Sequence, residues 1–471
     1  MAGEWDYIVV GAGSSGCVMA ERLSASGRHR VLVLEAGGES GFWNRVPKGV
    51  AKLVTNPEKI WAYKVTQPRI PEGEASEFWI RGKGVGGSSS VNGMIWSRGE
   101  DEDYDAWERD HGATGWNAAA MLGAFKRLED HADGPTERLG SGGRVHVEPE
   151  IFTYPLAEDM IAAGESLQLS RVRELTARPG ARVGYYSHNI RKGKRESAAQ
   201  TFLRPARKRD NVTVVTGARA QRITFDGRRA NGIEVAVDGE LRHFACAGEV
   251  IVCTGAIESP LLLQRSGIGD ATLLQERGVA PLVDNPHVGQ HLNEHLSLSM
   301  PYRLDRGKGT NRHFYGTGAA LAMARYLLTG GGIMATGPFE VGAFLNVHEG
   351  PQRIAPRGAD EPMKVGMIVS NEPGFYEAGW GGVRLENLYV VATDDEMPAQ
   401  PDGKRWLRLD ALTLIPFDTS LIDWEELSNA ERLWLGGYHQ EVWDTISPML
   451  GDEDRQWLWG KCQVPGISIS A

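Results

Sequence analysis

The stretch from Asp6 to Gly16, DYIVVGAGSSG, constrains this chain's fold more than any other. A β-branched apolar run enters three glycines spaced G-x-G-x-x-G and leaves into a helix-forming segment, CVMAERLSAS. In a strand-turn-helix unit each glycine has its own physical reason: Gly11 allows the tight turn, Gly13 the close backbone approach to a pyrophosphate, and Gly16 the packing of helix against strand. The helix N-terminus then offers its unpaired amides to the phosphates. A second apolar strand, VLVL over Val31 to Leu34, ends in Glu35, 19 residues after Gly16, where a carboxylate can accept hydrogen bonds from an adenosine ribose. The combination predicts a dinucleotide site on a doubly wound sheet; the alternative is a glycine-rich turn that holds no ligand. An acidic strand end disfavours a 2′-phosphate, which leaves FAD or NAD rather than NADP.

At 471 residues the chain has room for two or three domains, and 59 glycines, well above ordinary usage, point to tight turns and close ligand approaches. A net charge of -10 argues against nucleic acid as a partner, because phosphate backbones require a basic surface. The four cysteines show no C-x-x-C pair, so neither a disulfide framework nor a cysteine zinc site is expected, and the usage suits a reducing cytoplasm. The N-terminus carries no basic region ahead of its apolar run and does not read as a secretory signal. No apolar stretch reaches the length of a membrane span; Gly316 to Gly337 comes nearest but is broken by Arg325 and a glycine triplet, and reads as an amphipathic surface or lid helix.

Two further segments choose between the cofactors. Arg81 to Gly99, RGKGVGGSSSVNGMIWSRG, is too rich in small residues for a helix face and reads as a loop laid against a flat ligand. Glu249 to Cys253, EVIVC, repeats the strand pattern, and Thr254-Gly255-Ala256 leads into IESPLLLQRS, a helix closed by Gly267. With RESAAQTFLRPARKRDNVTVVTGA from Arg195 and NPHVGQHLNEH from Asn285, these segments resemble the glucose-methanol-choline (GMC) oxidoreductases, in that family's order, from about Trp5 to about Phe344. The resemblance implies a Rossmann-like FAD-binding domain with an interleaved α+β substrate domain from about 296. It also implies oxidation of a small-molecule alcohol by hydride transfer to the flavin, with oxygen or a quinone as electron acceptor. By motif position Gly11, Gly13, Ser14, Ser15 and Gly16 would hold the pyrophosphate and Glu35 the ribose. Val85, Gly86, Asn92, Gly93 and Met94 would line the isoalloxazine, the Ala220 backbone would sit at the adenine, and Gly255 would complete the cofactor site. Some relatives attach FAD through a histidine just before the asparagine; Val91 stands there in this chain, which implies non-covalent FAD.

The family's catalytic histidine segments do not follow, so the catalytic residues are left unassigned. His291 and His295 lie in a segment that is a structural turn in the family, and His439, on an amphipathic helical stretch, reads as a surface or capping histidine. From Leu345 the chain instead resembles the C-terminal part of aminopeptidase P-type metallopeptidases, a partial pita-bread (creatinase-like) segment. Tryptophan usage marks the change: all 14 lie either at or before Trp116 or at or after Trp380. Glu372 and Glu386 match two of that family's five metal ligands, Arg384 the neighbouring arginine and His348 a substrate-side histidine. Phe339 occupies the ligand histidine's place, and the aspartate pair has no counterpart. Two carboxylates without the other three ligands make no dimetal site, so no metal is expected; the bland alternative is that they are solvated or salt-bridged remnants. GPFEVGAF suits the first family and VGAFLNVHEGP the second, so residues 1-344 and 345-471 read as a chimera joined at Val341 to Phe344. The expected activity is a choline dehydrogenase-like oxidation of CH-OH groups; a flavin-binding protein without turnover is the alternative, and an Xaa-Pro aminopeptidase remnant the weakest. Each part lacks sheet partners of its parent, which predicts an uncovered strand edge, low stability and association.

Overall fold

The computed structural model describes residues 4–65, 77–149, 153–176, 180–290, 292, 309–344, 368–371, 374–377, 381–384, 387–393, 407–411, 413–417, 419, 422, 424, 427–467 and 470. Its contacts divide into two units, Met1–Leu345 and Asn346–Ala471.

The first unit is organised by alternation along short strands. In β1 (Trp5–Val10) and β2 (Val31–Leu34), successive side chains face opposite sides of the sheet. Ile8, Val10, Leu32 and Leu34 enter one core, while Val9, Val31 and Val33 enter the other. All seven are at most 1% exposed, as strands covered on both faces require. α1 (Ser14–Ser24) covers the second face through Cys17 and Ala20. Each such aliphatic side chain removed from water contributes roughly 1.5–3 kcal/mol before chain entropy is counted.

The remaining strands are β3 (Val212–Val215), β4 (Ala218–Asp226), β5 (Arg229–Val237) and β6 (Glu240–Val252), followed by the helix α2 (Gly255–Arg265). The sheet order is β3-β2-β1-β6-β5-β4. β3, β2, β1 and the second half of β6 run parallel, with Val33 opposite Val9 and Val214, and Val10 opposite Val252. β4, β5 and the first half of β6 form an antiparallel meander. β6 thus changes partner midway: Glu240 to Ala245 pair with β5, and Cys246 and Glu249 to Val252 with β1. Among the described residues the other edge of Glu249 to Val252 has no strand beside it. β1 lies between β2 and β6, so the crevice at its C-terminal end is where an open α/β sheet binds its ligand.

Outside this sheet, a hairpin pairs Ile60–Val65 with Glu77–Gly82. A small sheet sets Arg182–Tyr185 between Ser170–Val172 and Val341–Phe344. The glycine-poor part of the Gly316 to Gly337 stretch is a helix, Gly316–Thr329, with Ala322 and Tyr326 buried, Leu327 and Leu328 exposed, and Gly330 as a left-handed cap at φ 68°. No helix among the described residues is long and apolar enough to cross a membrane. The Arg81 to Gly99 segment is not wholly loop: Arg81 and Gly82 close the hairpin's second strand, and Gly87–Ser90 forms one 3-10 turn.

In the second unit, Ile368–Asn371, Asn387–Thr393 and Leu407–Ala411 form an antiparallel sheet, and Gly374–Glu377 pairs with Gly381–Arg384. The helix Asn429–Ile446 opens on a capping box between Ser428 and Glu431 and packs with Asp452–Cys462 around Val442, Trp443, Leu458 and Cys462. Of the two expectations for His439, surface or capping, the surface one is corrected, and its bond to the last carbonyl of Asp452–Cys462 matches the other. His439 is fully buried, with Nδ1 3.1 Å from the Cys462 carbonyl oxygen and Nε2 accepting the Phe417 amide at 3.0 Å. Burial lowers its pKa, so the neutral ring that these two backbone bonds require is the form the core keeps. Glu372, Glu386, His348, His291 and His295 lie outside the described residues.

Candidate dinucleotide site

A cleft of about 480 Å³ opens at the C-terminal ends of β1, β2 and β6 and is lined by Gly11, Gly13, Ser14, Ser15, Glu35, Ala220 and Gly255, all of them expected from sequence. Gly11 adopts φ +98°, and a Cβ there would come within 2.5 Å of the Cys253 carbonyl oxygen, so only glycine makes this turn. Gly16 does not line the cleft. A Cβ at Gly16 would overlap the Gly11 carbonyl and press on Val9, so it serves helix-strand packing as the spacing implied. Gly13 has open space where a Cβ would point, its nearest neighbour being 3.9 Å away. Ser14 and Ser15 are exposed at the first turn of α1, which carries no acidic side chain to compete for the positive end of the helix. These features together form an anion cradle at a helix N-terminus.

Glu35 is more heavily engaged than the ribose assignment alone anticipates. Its Oε2 accepts the Ala12 amide at 2.8 Å, and its Oε1 accepts those of Gly37 at 2.8 Å and Gly84 at 3.1 Å. An ionised carboxylate offers about four acceptor positions. The carboxylate therefore ties the end of β2 both to the glycine turn and to the 84–87 turn while still facing the cleft.

The residues expected around the isoalloxazine form a second group next to this cradle. The Gly86 amide donates to the Ala12 carbonyl at 2.7 Å, and a Cβ at Gly87 would lie 2.7 Å from the Gly13 Cα. Val85 and Val91 are buried beneath them. Asn92 Oδ1 accepts from the Met94 amide at 3.1 Å and from Arg195 Nη1 at 2.7 Å. Met94 is fully buried at φ 62°, a left-handed conformation that costs a side-chain-bearing residue about 1–3 kcal/mol. Gly93 faces Phe339 and Pro338, 3.3 Å from where its Cβ would be. Arg195 is 1% exposed, and burial lowers its pKa to about 10. Its contacts to Asn92 and to the Ser89 carbonyl brace this turn from below.

Aromatic and charged contributors to the cleft did not stand out in the sequence. Trp61 and Tyr63, on the same face of one hairpin strand, stack at 6.4 Å and line the cleft opposite the glycine turn. Lys83 and Arg219 lie over the Trp61 ring at 4.6 and 5.5 Å. Tyr63 donates to Glu258 Oε1 at 3.1 Å, and burial with the neighbouring carboxylate pushes its phenol pKa up. The W-x-Y alternation in IWAYKV is the signal that could have found them. No group of three or more His, Cys, Asp or Glu side chains that could hold a metal ion occurs among the described residues.

Comparison with known proteins matches residues 5–297 to the GMC oxidoreductase family. Further on, 322–393 match metallopeptidase family M24, and 405–464 match the C-terminal region of that peptidase. The oxygen-dependent choline dehydrogenase of Vibrio vulnificus is 35% identical over 353 residues, 74% of this chain and 63% of that protein. The Pseudomonas entomophila enzyme of the same name is 37% identical over 444 residues, 92% of this chain and 76% of that protein. The chain thus spans under two thirds of the Vibrio relative's length. Among solved structures, pyridoxine 4-oxidase from Mesorbium loti is 33% identical with a TM-score of 0.57, covering 60% of this chain and 56% of that one. A formate oxidase from Aspergillus oryzae, studied for its FAD modification, is 26% identical with a TM-score of 0.65, covering 72% and 61%. With 5–297 matched and the glycine cradle in the family's place, this chain belongs to the GMC oxidoreductases.

Proposed function

We propose that this chain binds FAD non-covalently in the cleft at the end of β1, and that residues 1–344 carry an oxidoreductase scaffold for the CH-OH group of a small alcohol of the choline type. The observation that carries the reading is the cradle itself: Gly11 and Gly87 leave no room for a side chain, while the first turn of α1 presents Ser14 and Ser15 without a competing acid. Gly11, Gly13, Ser14 and Ser15 would hold the pyrophosphate, Glu35 the ribose, the Ala220 backbone the adenine, and the 85–94 turn the isoalloxazine. Trp61 and Tyr63 would wall the cleft. Val91, buried and without a nucleophilic atom, supports non-covalent attachment. Bound flavin would supply the hydride acceptor, with oxygen or a quinone taking the electrons onward. The four free cysteines support a reducing, cytoplasmic location.

A second reading, flavin binding without turnover, draws on the burial of His439. The one histidine beyond His348 is committed to a helix-helix core, which leaves it unable to serve as the base of an alcohol oxidation. The match to M24 over 322–393 supports a peptidase-like C-terminal segment of creatinase-like origin; the join near Val341 to Phe344 rests on the sequence overlap alone, since that match begins ahead of it. With Phe339 in the ligand histidine's place, that segment is proposed to bind no metal.

The purified chain is expected to be yellow, with flavin absorbance near about 450 nm. Gly11→Ala should lose most of that colour. Bleaching by choline or another alcohol under anaerobic conditions supports the oxidoreductase; a yellow protein that no alcohol bleaches supports the second reading. A colourless protein that takes up no added FAD overturns both, and stoichiometric manganese or zinc by metal analysis would revive the peptidase.

A further inference from the structure

A second concavity lies at the opposite end of α1 from the dinucleotide cradle. Its volume is about 710 Å³, and its walls carry Arg22, Arg127, Arg144, Arg191, Arg204 and Lys208 against a single carboxylate, Glu196. α1 has 11 residues and so separates the two sites by about 15 Å along its axis. These cations do not form a charge run. They come from the end of α1, from the helix Ala118–Leu128, from the loop at Gly143, from the Ile190–Arg195 hairpin and from the segment beyond Thr201. The chain as a whole carries -10, so folding gathers positive charge here against the molecule's average.

The pairing pattern leaves part of that charge uncompensated. Glu21, with its side chain only 2% exposed, is shared by three arginines: Arg22 at 3.1 Å, Arg144 at 2.8 Å and Arg209 at 2.9 Å. Arg191 reaches Glu196 and Asp130, each at 3.3 Å. Arg204 has one hydrogen bond among the described residues, to the neutral Gln200 Oε1 at 3.4 Å. Arg127 and Lys208 are exposed and have no carboxylate partner among the described residues. A concave surface lined by one sign of charge focuses potential into its interior, and guanidinium forks match phosphoryl oxygens in pairs.

We propose that this cleft binds a small molecule bearing two or more phosphoryl groups, at a site separate from the dinucleotide cradle. The depression is broad and open, and its six cations come from five separate segments, which suits a ligand with several phosphoryl groups better than a single tetrahedral anion. The concave shape and the negative net charge of the chain argue against an extended nucleic acid. None of these features depends on whether flavin occupies the cradle.

Titration calorimetry on the full chain tests it, with sodium tripolyphosphate as probe and inorganic phosphate and sulfate as controls at matched ionic strength. One equivalent of tripolyphosphate is expected to bind, at least about tenfold tighter than phosphate, and to weaken with added sodium chloride. The double variant R127E/K208E should lose about tenfold or more in tripolyphosphate affinity while retaining its FAD content. If charge reversal disturbs folding, judged by far-ultraviolet circular dichroism, R127Q/K208Q replaces it and should still weaken binding. Equal affinity in the wild type and the variants, absence of saturable binding, or displacement of tripolyphosphate by FAD would each overturn the proposal; the last result would place the anion in the dinucleotide cradle instead.

Discussion

At the scale of single residues, His188 shows how burial sets chemistry beside the 85–94 turn. The residue is 3% exposed, its Nε2 lies 2.8 Å from the Phe339 carbonyl oxygen, and its Nδ1 has no hydrogen-bond partner among the described residues. Loss of solvation lowers its pKa from 6.5 to about 4, opposed by the Phe339 hydrogen bond and assisted by Lys48. The folded chain therefore keeps this ring neutral where the unfolded chain would protonate it. Stability from the neutral ring is complete above pH 6.5 and is lost as pH falls through that value towards about 4. The full difference amounts to about 3 kcal/mol. His188→Gln keeps a donor for Phe339 but cannot titrate, so urea unfolding of the variant should show a flatter dependence between pH 6.5 and 4 than the wild type. Parallel slopes would mean that other groups set the acid limit. Gly11 was legible because its motif demands a conformation only glycine takes easily; Met94 was not, since nothing in its side chain announces a left-handed backbone.

Secondary elements were legible wherever a local period decided them. β1, β2 and the end of β6 from Glu249 follow from their apolar runs, and α1 and α2 from the sequences behind their glycine turns; the first half of β6 does not. Tertiary partners were less so. Val341–Phe344 pairs with Arg182–Tyr185 across more than 150 residues, and no local pattern carries that register. The burial of His439 is equally illegible locally, because a partner helix, Asp452–Cys462, decides it. β6 has the clearest consequence for behaviour. Among the described residues Glu249 to Val252 pair with β1 on one side and with no strand on the other, and Val250, Ile251 and Val252 are half-buried and β-branched. Open backbone donors and acceptors on an apolar edge recruit another strand. Sedimentation at increasing concentration is therefore expected to show mass growing beyond one chain, whereas a single-chain mass at about 100 μM, well above a micromolar association, would show the edge to be covered.

The whole molecule is two units with separate cores. Ile8, Leu32 and Ile233 belong to the first, and Val442, Trp443 and Leu458 to the second, with no residue common to both clusters. A ligand that binds one folded unit stabilises that unit by mass action, by about 2.7 kcal/mol at a hundredfold excess over its dissociation constant. FAD contacts would fall entirely within Met1–Leu345, since every residue lining the cradle lies there. Scanning calorimetry of the full chain should accordingly resolve two transitions, with added FAD raising one and leaving the other in place. Gly11→Ala should abolish the FAD-dependent rise without touching the second transition. If both transitions move together, the units fold as one cooperative block, and the M24-like segment then contributes to the stability of the unit that lines the cradle.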